Sequence, residues 1–209
     1  GRRIEKLSKL AKEKKIEVVF QDTSFFQKNF SEMNHQGVAI ICNKRLEENE
    51  NFLESIITKE KLLLLILEHI TDPHNVGACI RSAAAAGVDA VIVPKNRSCH
   101  LTPTVRKISS GGAELIPFIV VTNIVRTINK LKSEGVMIYG TDAEASKLHN
   151  EISYSNKSAL IIGSEEKGLK RLTLENCDEI IKIKMPGRIE SLNASVSTGI
   201  MLFQMINHK

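Results

Sequence analysis

Three short segments of the chain place polar side chains where an apolar, strand-like run turns into a helix. The first has the sequence DPHNVGACIRSAAAAG. Pro73 turns the chain, Asn75 is a candidate helix N-cap, and Gly87 is typical of a helix C-terminus. Arg81 stands out because a long cation among alanines must reach an anion or a solvent edge. We therefore expect Arg81 to contact a phosphate or carboxylate, or else to be an ordinary surface arginine.

The second segment, LIIGSEEKGL, carries two glycines, Gly163 and Gly168, at the spacing of a phosphate-binding P-loop. A P-loop needs Lys followed by Ser or Thr after its second glycine, whereas leucine follows here. Glu165 and Glu166 lie inside the loop and would repel phosphate. Carboxylates accept hydrogen bonds, so the loop suits a ligand with hydroxyl or ammonium groups and a positive centre. The alternative is an acidic turn that stabilises the start of a helix.

The third segment, IKIKMPGRIESLNASVSTGI, passes from a strand through an irregular Pro-Gly loop into a helix. Ser191 or Asn193 can cap that helix. Val196, Ile200 and Phe203 fall on one of its faces, as in an amphipathic helix. Five of the eight residues at the helix start, 191 to 198, carry a hydroxyl or amide side chain. Capping explains only some of them, and recognition of a polar ligand is the simplest use for the rest.

In this order and at these separations, the three segments closely resemble the signature motifs of the SpoU family of RNA ribose 2′-O-methyltransferases. The resemblance extends from residue 62 to the C-terminus. The sequence HQGV at residues 35 to 38 is similar to the end of the ribosomal-protein-L30-like RNA-binding domain that precedes the catalytic domain in the family's bacterial 23S rRNA guanosine methyltransferases. Residues 105 to 114 are similar to another stretch of that subgroup.

The resemblance implies a SPOUT fold, in which the C-terminal strand and helix form a deep trefoil knot. It also implies S-adenosylmethionine as the cofactor, without a metal, and a homodimer that pairs through the knot region. The positions that bind the cofactor in the family are occupied here by Gly163, Glu165, Ile183, Leu192 and Asn193. The positions that the family implicates in catalysis are occupied by Asn75, Arg81, Glu165, Ser191 and Asn193.

Two residues depart from the family pattern. Glu166 stands where relatives usually have Gly, so that a positive φ there would be costly. Lys184 stands where Pro is usual, which we expect to loosen the approach to the cofactor. Neither departure removes a chemical group that the reaction needs.

Methyl transfer from a sulfonium is an in-line displacement, so the enzyme must align donor carbon and acceptor oxygen and help the ribose hydroxyl lose its proton. Family proposals make the first-motif arginine the base, but a guanidinium is rarely deprotonated in proteins. We expect Arg81 instead to bind the phosphate of the target nucleotide and to stabilise the developing alkoxide. Ser191, Asn193 and Glu165 would then orient the hydroxyl and the cofactor.

Basic residues are clustered although the chain is only mildly basic, with a formal net charge of +5. Residues 1 to 20 hold seven bases and three acids, and residues 90 to 113 hold four bases and no acid. Lys and Arg contacts to phosphates supply most sequence-independent affinity for nucleic acids, so this pattern predicts RNA binding. The alternative is a solvated loop. The bases of the second stretch are Lys95, Arg97, Arg106 and Lys107.

The composition is that of a globular protein, with 209 residues, 42% hydrophobic and 25% charged. The longest apolar run has six residues, far short of the roughly 20 that cross a bilayer, and the charged N-terminus does not predict a secretory signal. The four cysteines have neither a C-x-x-C pattern nor metal-binding spacing. We therefore expect a cytoplasmic protein with reduced thiols. These cysteines are Cys42, Cys79, Cys99 and Cys177.

Alternating apolar runs and helical stretches predict an α/β domain with helices on both faces of a parallel sheet. The expected strands cover residues 62–67, 90–93, 136–139, 159–162 and 180–183. The expected helices cover residues 75–86, 123–133, 168–176 and 193–207.

The first 43 residues have too few elements to bury a core alone. We expect helices over 2–15 and 23–30 and strands over 17–20 and 37–42, as the C-terminal part of a small L30e-like RNA-binding domain. Residues 44–60, rich in glutamate, are expected to be a linker that runs into a short helix, and 61–209 the catalytic domain.

Three other functions compete with 23S rRNA methylation. One is a tRNA ribose 2′-O-methyltransferase, and another is a non-catalytic RNA-binding protein of the same fold, which would bind no cofactor. A nucleotide-binding enzyme of the dehydrogenase type is disfavoured because no G-x-G-x-x-G follows the first strand.

Overall fold

The computed structural model describes residues 2–31, 35–41 and 46–207. The chain divides into two compact units, Gly1–Lys44 and Arg45–Lys209. The first unit contains helices α1 (Arg2–Glu13) and α2 (Thr23–Phe30), and no described residue of it is fully buried. The side chain of Asp22 caps α2 by accepting a hydrogen bond from the backbone N–H of Phe25 at 2.9 Å.

The two strands expected in this first unit are wrong for the residues that the structure describes. Residues 17–20 and 37–41 have no strand partner, and Cys42 lies outside the described residues. A strand needs a neighbour to satisfy its backbone groups. Val19 and Phe20 remain 64% and 77% exposed, so β-propensity alone did not order them into a strand.

The second unit contains a parallel sheet with helices, as predicted, but the sheet has seven strands and not five. Its strands are β1 (Leu62–Leu67), β2 (Ala90–Pro94), β3 (Phe118–Val121), β4 (Met137–Thr141), β5 (Lys147–Leu148), β6 (Lys157–Ile162) and β7 (Glu179–Lys182). Its helices are α3 (Phe52–Ile56), α4 (Pro73–Ala85), α5 (Pro103–Ile108), α6 (Gly112–Leu115), α7 (Ile124–Ser133), α8 (Arg171–Asn176) and α9 (Ala194–Asn207). The strand order is β3-β2-β1-β6-β4-β7-β5.

Strand β1 shows why the parallel sheet could be predicted from the sequence. All six of its residues are buried, and alternate side chains enter different cores. Leu63, Leu65 and Leu67 belong to one hydrophobic cluster, whereas Leu62, Leu64 and Ile66 belong to another. A strand that is covered on both faces needs apolar residues at every position. Strands β3 and β5 were not predicted from the sequence.

The carboxyl ends of all these strands meet at one edge of the sheet. The chain builds β1 to β3 outward on one side and places β6 and β4 on the other side of β1. Ligands of open α/β sheets bind at such a reversal of strand order, outside the carboxyl ends. The loops after β1, β6 and β7, which carry the three motifs, therefore reach the same region.

Helix α4 packs closely on its neighbours through small residues. A Cβ added at Gly77 would lie 2.6 Å from Ile108 Cβ, so only glycine permits this approach to α5. On the side of α9, Cys79 Sγ lies 3.3 Å from Thr198 Oγ1. The N-cap of α4 is Asp72 and not Asn75, because Asp72 accepts hydrogen bonds from the backbone N–H groups of His74 and Asn75.

The stretch expected to be a linker packs against the sheet in its described part, residues 46–60. Glu48 forms a parallel bridge to Ile119, with a 2.8 Å hydrogen bond from its N–H to the carbonyl of Phe118. In α3, Leu53 and Ile56 are buried in the core. These residues are therefore part of the second unit.

Candidate active site

A cleft of about 780 Å³ opens at the carboxyl edge of the sheet, among the segments that follow β4, β6 and β7. This volume is within the range of small-molecule sites. Four of the five expected cofactor-binding residues line the cleft, and Ser191 from the expected catalytic set lines it as well. The four are Gly163, Glu165, Ile183 and Leu192.

Side chains from all three motifs meet in one hydrogen-bonded cluster beside this cleft. Asn75 Nδ2 donates to Glu165 Oε1 at 2.8 Å, and Asn193 Nδ2 donates to Asn75 Oδ1 at 2.8 Å. Asn193 Nδ2 also lies 3.1 Å from Glu165 Oε1. The backbone N–H of Ala194, the first residue of α9, donates to the same carboxylate oxygen at 3.1 Å. Glu165 thus lies at a helix N-terminus, where a negative charge is favoured.

The start of α9 is held by Asn193 and not by Ser191. The Oδ1 atom of Asn193 accepts hydrogen bonds from the N–H of Ser195 at 3.0 Å and from its hydroxyl at 2.6 Å. The amide of Asn193 therefore caps α9 with its oxygen and contacts Glu165 with its nitrogen. Ser191 remains exposed and lines the cleft.

The loop that carries Glu165 folds tightly on itself because two of its residues are glycines. A Cβ at Gly163 would lie 2.3 Å from the carbonyl carbon of Gly168, so no other residue fits there. Gly168 has a φ of +60° and donates its N–H to the carbonyl of Ser164 at 2.9 Å. Glu166 is not among the residues with positive φ. The departure from Gly at position 166 therefore causes no backbone strain.

A buried carboxylate, which the sequence did not single out, supports the far end of this loop. Glu68 is 2% exposed and follows the last residue of β1. It accepts hydrogen bonds from the N–H of Lys170 at 2.9 Å and from Thr173 Oγ1 at 2.7 Å, and so caps α8. The sequence could have indicated its role, because Glu68 is a lone acid at the end of an otherwise apolar strand and a buried acid must be hydrogen-bonded.

The residues that line the cleft carry charges of both signs, and several of them are apolar. Carboxylates and exposed hydroxyls supply acceptors for ammonium and hydroxyl groups, and the apolar residues can cover a flat ring. The lining acids are Asp142, Glu144, Glu165 and Glu190, the lining bases are Lys167, Lys182 and Lys184, and the apolar residues include Ile162, Ile183, Leu192 and Met201.

Arg81 lies apart from the cluster that joins Asn75, Glu165 and Asn193. It is exposed, is not among the residues that line the cleft, and follows Asn75 by six residues, roughly 9 Å along the helix axis of α4. None of the ion pairs within the described ranges involves it. The exposure of Arg81 fits both expectations, and its contact with a phosphate stays a prediction.

The four predicted RNA-binding bases differ in their surroundings. Lys95, Arg97 and Lys107 are exposed. Arg106 forms a 2.6 Å ion pair with Glu114, and its side chain is only 16% exposed. The acid-free stretch that supported the prediction ends at residue 113, immediately before this partner.

The cysteine thiols within the described residues are shielded from solvent to different degrees, and burial keeps them in the protonated form. Burial in the α4 and α9 contact raises the pKa of Cys79 to about 12, and burial also raises that of Cys177 to about 12. Across the described part of the chain, no group of three or more His, Cys, Asp or Glu could hold a metal ion. Over the same residues, the longest and most apolar helices fall short of what a membrane crossing requires.

Comparison with known proteins adds to this geometry. The model of the SpoU rRNA methylase family matches residues 62–203. The 23S rRNA (guanosine-2′-O-)-methyltransferase RlmB of Pseudomonas aeruginosa is 41% identical in an alignment of 209 residues that covers 99% of this chain and 84% of the relative. The RlmB protein of Escherichia coli is 46% identical over 176 residues, covering 84% of this chain and 72% of the relative.

Solved structures show the same fold. The SpoU methyltransferase AviRb from Streptomyces viridochromogenes, solved in complex with AdoMet, superposes with a TM-score of 0.69 at 25% identity over 74% of this chain. An AdoMet-bound rRNA methyltransferase from Sinorhizobium meliloti superposes with a TM-score of 0.70 at 28% identity over 78% of this chain. The chain spans 63% and 61% of these two solved proteins.

Proposed function

The chain belongs to the SpoU rRNA methylase family, and we propose that it methylates a ribose 2′-hydroxyl of RNA, at a guanosine of 23S rRNA. The observation that carries this proposal is the hydrogen-bonded cluster of Asn75, Glu165 and Asn193. It joins one residue from each motif beside a cleft of suitable size. The names of the relatives from Pseudomonas and Escherichia support the guanosine of 23S rRNA as the target over a tRNA.

The cleft fits S-adenosylmethionine, which supplies a methyl group on a positively charged sulfur. The chemistry of the lining residues supports this choice, because carboxylates favour a sulfonium and an ammonium while apolar residues cover an adenine. Gly163 lines the cleft and lets the loop that carries Glu165 pack tightly against the backbone of Gly168. We assign Gly163, Glu165, Ile183, Leu192 and Asn193 to cofactor binding.

Within this site, the cluster holds the groups that orient the reactants. Asn75 and Asn193 fix the Glu165 carboxylate in one position, so that it need not reorganise during the reaction. Ser191, which is exposed and lines the cleft, is assigned to hydrogen-bond the ribose hydroxyl. Arg81 carries a permanent charge and is assigned to the target phosphate and the developing alkoxide.

RNA is proposed to approach along the loop after β2 and along α5. Lys95, Arg97 and Lys107 are exposed and can neutralise phosphates. Arg106 is assigned a lesser part, because Glu114 already neutralises it. Residues 1–43 are proposed to be the end of an L30e-like domain that adds RNA contacts through its basic helix, and 61–209 the catalytic domain.

The SpoU resemblance also supports a trefoil knot at β7 and α9 and a homodimer. For the dimer, a further support is the apolar face of α9, where Val196, Ile200 and Phe203 are 48%, 38% and 44% exposed. An exposed apolar patch of this kind marks a surface that binds another protein. The occupant that we propose is the same helix of a second copy.

Two measurements test the proposed function. Calorimetry should show binding of S-adenosylmethionine and S-adenosylhomocysteine and no binding of NAD. Protein with radiolabelled S-adenosylmethionine should then label in vitro transcribed 23S rRNA, with the label at one guanosine ribose and none in tRNA. RNA binding without cofactor binding and without RNA labelling would support a non-catalytic protein, and labelling of tRNA alone would support the tRNA enzyme.

A further inference from the structure

Residues 46–57, which we call the acidic strap, are tied to the sheet by three glutamates. Glu50 accepts a hydrogen bond from the backbone N–H of Thr122 and pairs with Arg126 at 2.7 Å. Glu54 pairs with Lys130 at 2.8 Å. These contacts fix the strap along β3 and α7, and they leave Glu47 beside the loop of residues 95–101 that follows β2.

Glu47 contacts this loop with both carboxylate oxygens. Its Oε1 atom accepts a 2.7 Å hydrogen bond from the backbone N–H of Leu101, and its Oε2 atom lies 3.0 Å from His100 Nδ1. The other ring nitrogen of His100, Nε2, lies 3.1 Å from the carbonyl oxygen of Lys95. His100 therefore bridges the strap and the start of the loop.

Both atoms that face the His100 ring can only accept hydrogen bonds. A neutral imidazole has one N–H and can satisfy one of them, whereas the imidazolium has two and satisfies both. Burial lowers the pKa of His100, but the hydrogen bonds to Glu47 and to the Lys95 carbonyl, together with the Glu47 charge, outweigh burial and raise it. Among the described residues, Glu47 is the charged group in contact with the ring.

The loop is also attached to the segment that leads into the site. His69 Nδ1 lies 3.1 Å from the carbonyl oxygen of Arg97, to which it donates, and the N–H of Cys99 donates to the carbonyl of Ile70 at 3.0 Å. Arg97 has a φ of +57°, a conformation that a non-glycine residue keeps only when its surroundings hold it there. Ile70 precedes the N-cap of α4 by two residues. The loop thus places the backbone of Arg97 beside the segment that leads into the first motif.

We propose that Glu47 and His100 are positioning residues for RNA binding. Through this pair the acidic strap holds Lys95 and Arg97 in the geometry that contacts RNA, and loss of the His100 proton loosens the loop. This inference rests on the proposed RNA methylation.

The sign of the pH effect follows from the raised pKa of His100. A group with a pKa raised in the folded state contributes its full stabilisation below its ordinary value of 6.5 and loses it as the pH rises through the raised value. RNA affinity that depends on the ordered loop should therefore fall as the pH rises through that window. Catalysis at saturating RNA should change less than RNA affinity.

The test compares Glu47→Gln and His100→Gln with Glu54→Gln as a matched control. Glu54 lies on the same strap and loses an ion pair in the control, but its partner Lys130 is on α7, away from the loop. Nuclear magnetic resonance follows the titration of the His100 ring and the hydrogen exchange of the Leu101 amide. Fluorescence anisotropy follows RNA affinity from pH 6 to pH 9, a range chosen to span the ordinary and raised pKa values of His.

In the wild type and in the control, we expect His100 to titrate above its ordinary range and RNA affinity to fall with rising pH. In Glu47→Gln the titration should move down and the Leu101 amide should exchange faster. If only about a tenth of the molecules keep the loop in the conformation that binds RNA, the apparent RNA affinity falls about tenfold, whereas the affinity for S-adenosylmethionine stays unchanged. His100→Gln should weaken RNA binding and flatten its pH dependence.

Several results would overturn the inference. An unshifted His100 titration and an unchanged Leu101 exchange rate in Glu47→Gln would show that the pair does not hold the loop. Faster exchange with unchanged RNA affinity would show that the loop does not position RNA contacts. A wild-type protein that binds no RNA at all would remove the proposed function, and the exchange data would still report separately whether the pair orders the loop.

Discussion

Arg81 differs from Asn75, Glu165 and Asn193 because no hydrogen bond or ion pair among the described residues holds its side chain. It is exposed on α4, whereas Asn75, Glu165 and Asn193 hold one another through hydrogen bonds. A guanidinium remains charged at any physiological pH, so its contribution must be electrostatic and not that of a base. If Arg81 binds the target phosphate as proposed, its side chain becomes ordered when RNA binds.

Replacement of Arg81 tests this role. For Arg81→Ala we expect kcat to fall about 100-fold or more, as happens when a donor to a developing oxyanion is removed. Arg81→Lys keeps the charge but loses the planar fork, so its loss should be intermediate. Single-turnover methylation measures both, and calorimetry should show unchanged cofactor affinity. If Arg81→Ala keeps kcat within about threefold of the wild type, the transition-state role is wrong.

Arg97 and Arg106 should respond differently to salt. The logarithm of RNA affinity falls linearly with the logarithm of salt concentration, by about 0.7 to 0.9 per phosphate neutralised. Arg97→Ala should reduce that slope by about one unit, because Arg97 is exposed and free to bind a phosphate. Arg106→Ala should leave the slope nearly unchanged, because Glu114 already pairs with Arg106. Anisotropy titrations at several salt concentrations give the slopes, and equal slopes for wild type and Arg97→Ala would place the RNA elsewhere.

The sequence predicted the polar residues of the hydrogen-bonded cluster better than it predicted the residues that hold the surrounding loops in place. The motif resemblance named Asn75 and Glu165, although these residues are 90 positions apart and no local pattern predicts their contact. Glu68 and Glu47 were missed because their partners lie 102 and 53 positions away. The apolar run before Glu68 signals that this acid needs hydrogen-bond partners, but nothing near Glu68 or Glu47 in the sequence identifies those partners.

Helix α8 has six residues and lacks a capping side chain of its own, so its start depends on Glu68. The Glu68 carboxylate satisfies the N–H of Lys170 and the hydroxyl of Thr173, and both contacts are buried or partly buried. Because α8 follows the loop that carries Glu165, this contact links β1 to the geometry of the cofactor cleft.

Removal of this carboxylate should destabilise the fold. For Glu68→Ala we expect a loss of about 2 kcal/mol in the free energy of unfolding, since two donors lose their buried partner. Glu68→Gln keeps one acceptor and should lose less. Glu175→Gln is the control on the same helix, because its ion pair with Arg171 is exposed and contributes at most about 0.5 kcal/mol. Urea unfolding measures all three, and a Glu68→Ala midpoint equal to that of the control would contradict the prediction.

Among the elements, the sequence predicted best those that are buried on both faces. β1 and β6 were expected because every position in their cores must be apolar. β5 was missed because it has two residues and begins with an exposed lysine. The acidic strap was taken for a linker because its glutamates suggested solvent, whereas the structure uses three of them to bind basic side chains on the sheet unit.

Strand order explains how distant motifs form one site. The adjacent strands β1 and β6 carry the first two motifs at their carboxyl ends, and the third motif follows β7. A parallel sheet brings these ends to one edge, whatever their separation along the chain. The α/β class was predictable from the alternation of elements, but the order of the strands was not, because long-range pairing leaves no periodic pattern in the sequence.

The apolar face of α9 gives a prediction for the assembly. Phe203 and Ile200 are partly exposed near the C-terminus of the described chain, and Val196 lies on the same helix. Burial of such side chains against a second copy is worth about 25 cal/mol per Å² of apolar surface, whereas a charge placed there would oppose association. We therefore expect the wild type to have twice the 23.2 kDa chain mass in light scattering, and Phe203→Glu to be monomeric.

Leu172→Glu is the matched control, because Leu172 is 56% exposed on α8 and its replacement should leave the dimer intact. A wild-type mass of 23.2 kDa at micromolar concentration would contradict the dimer.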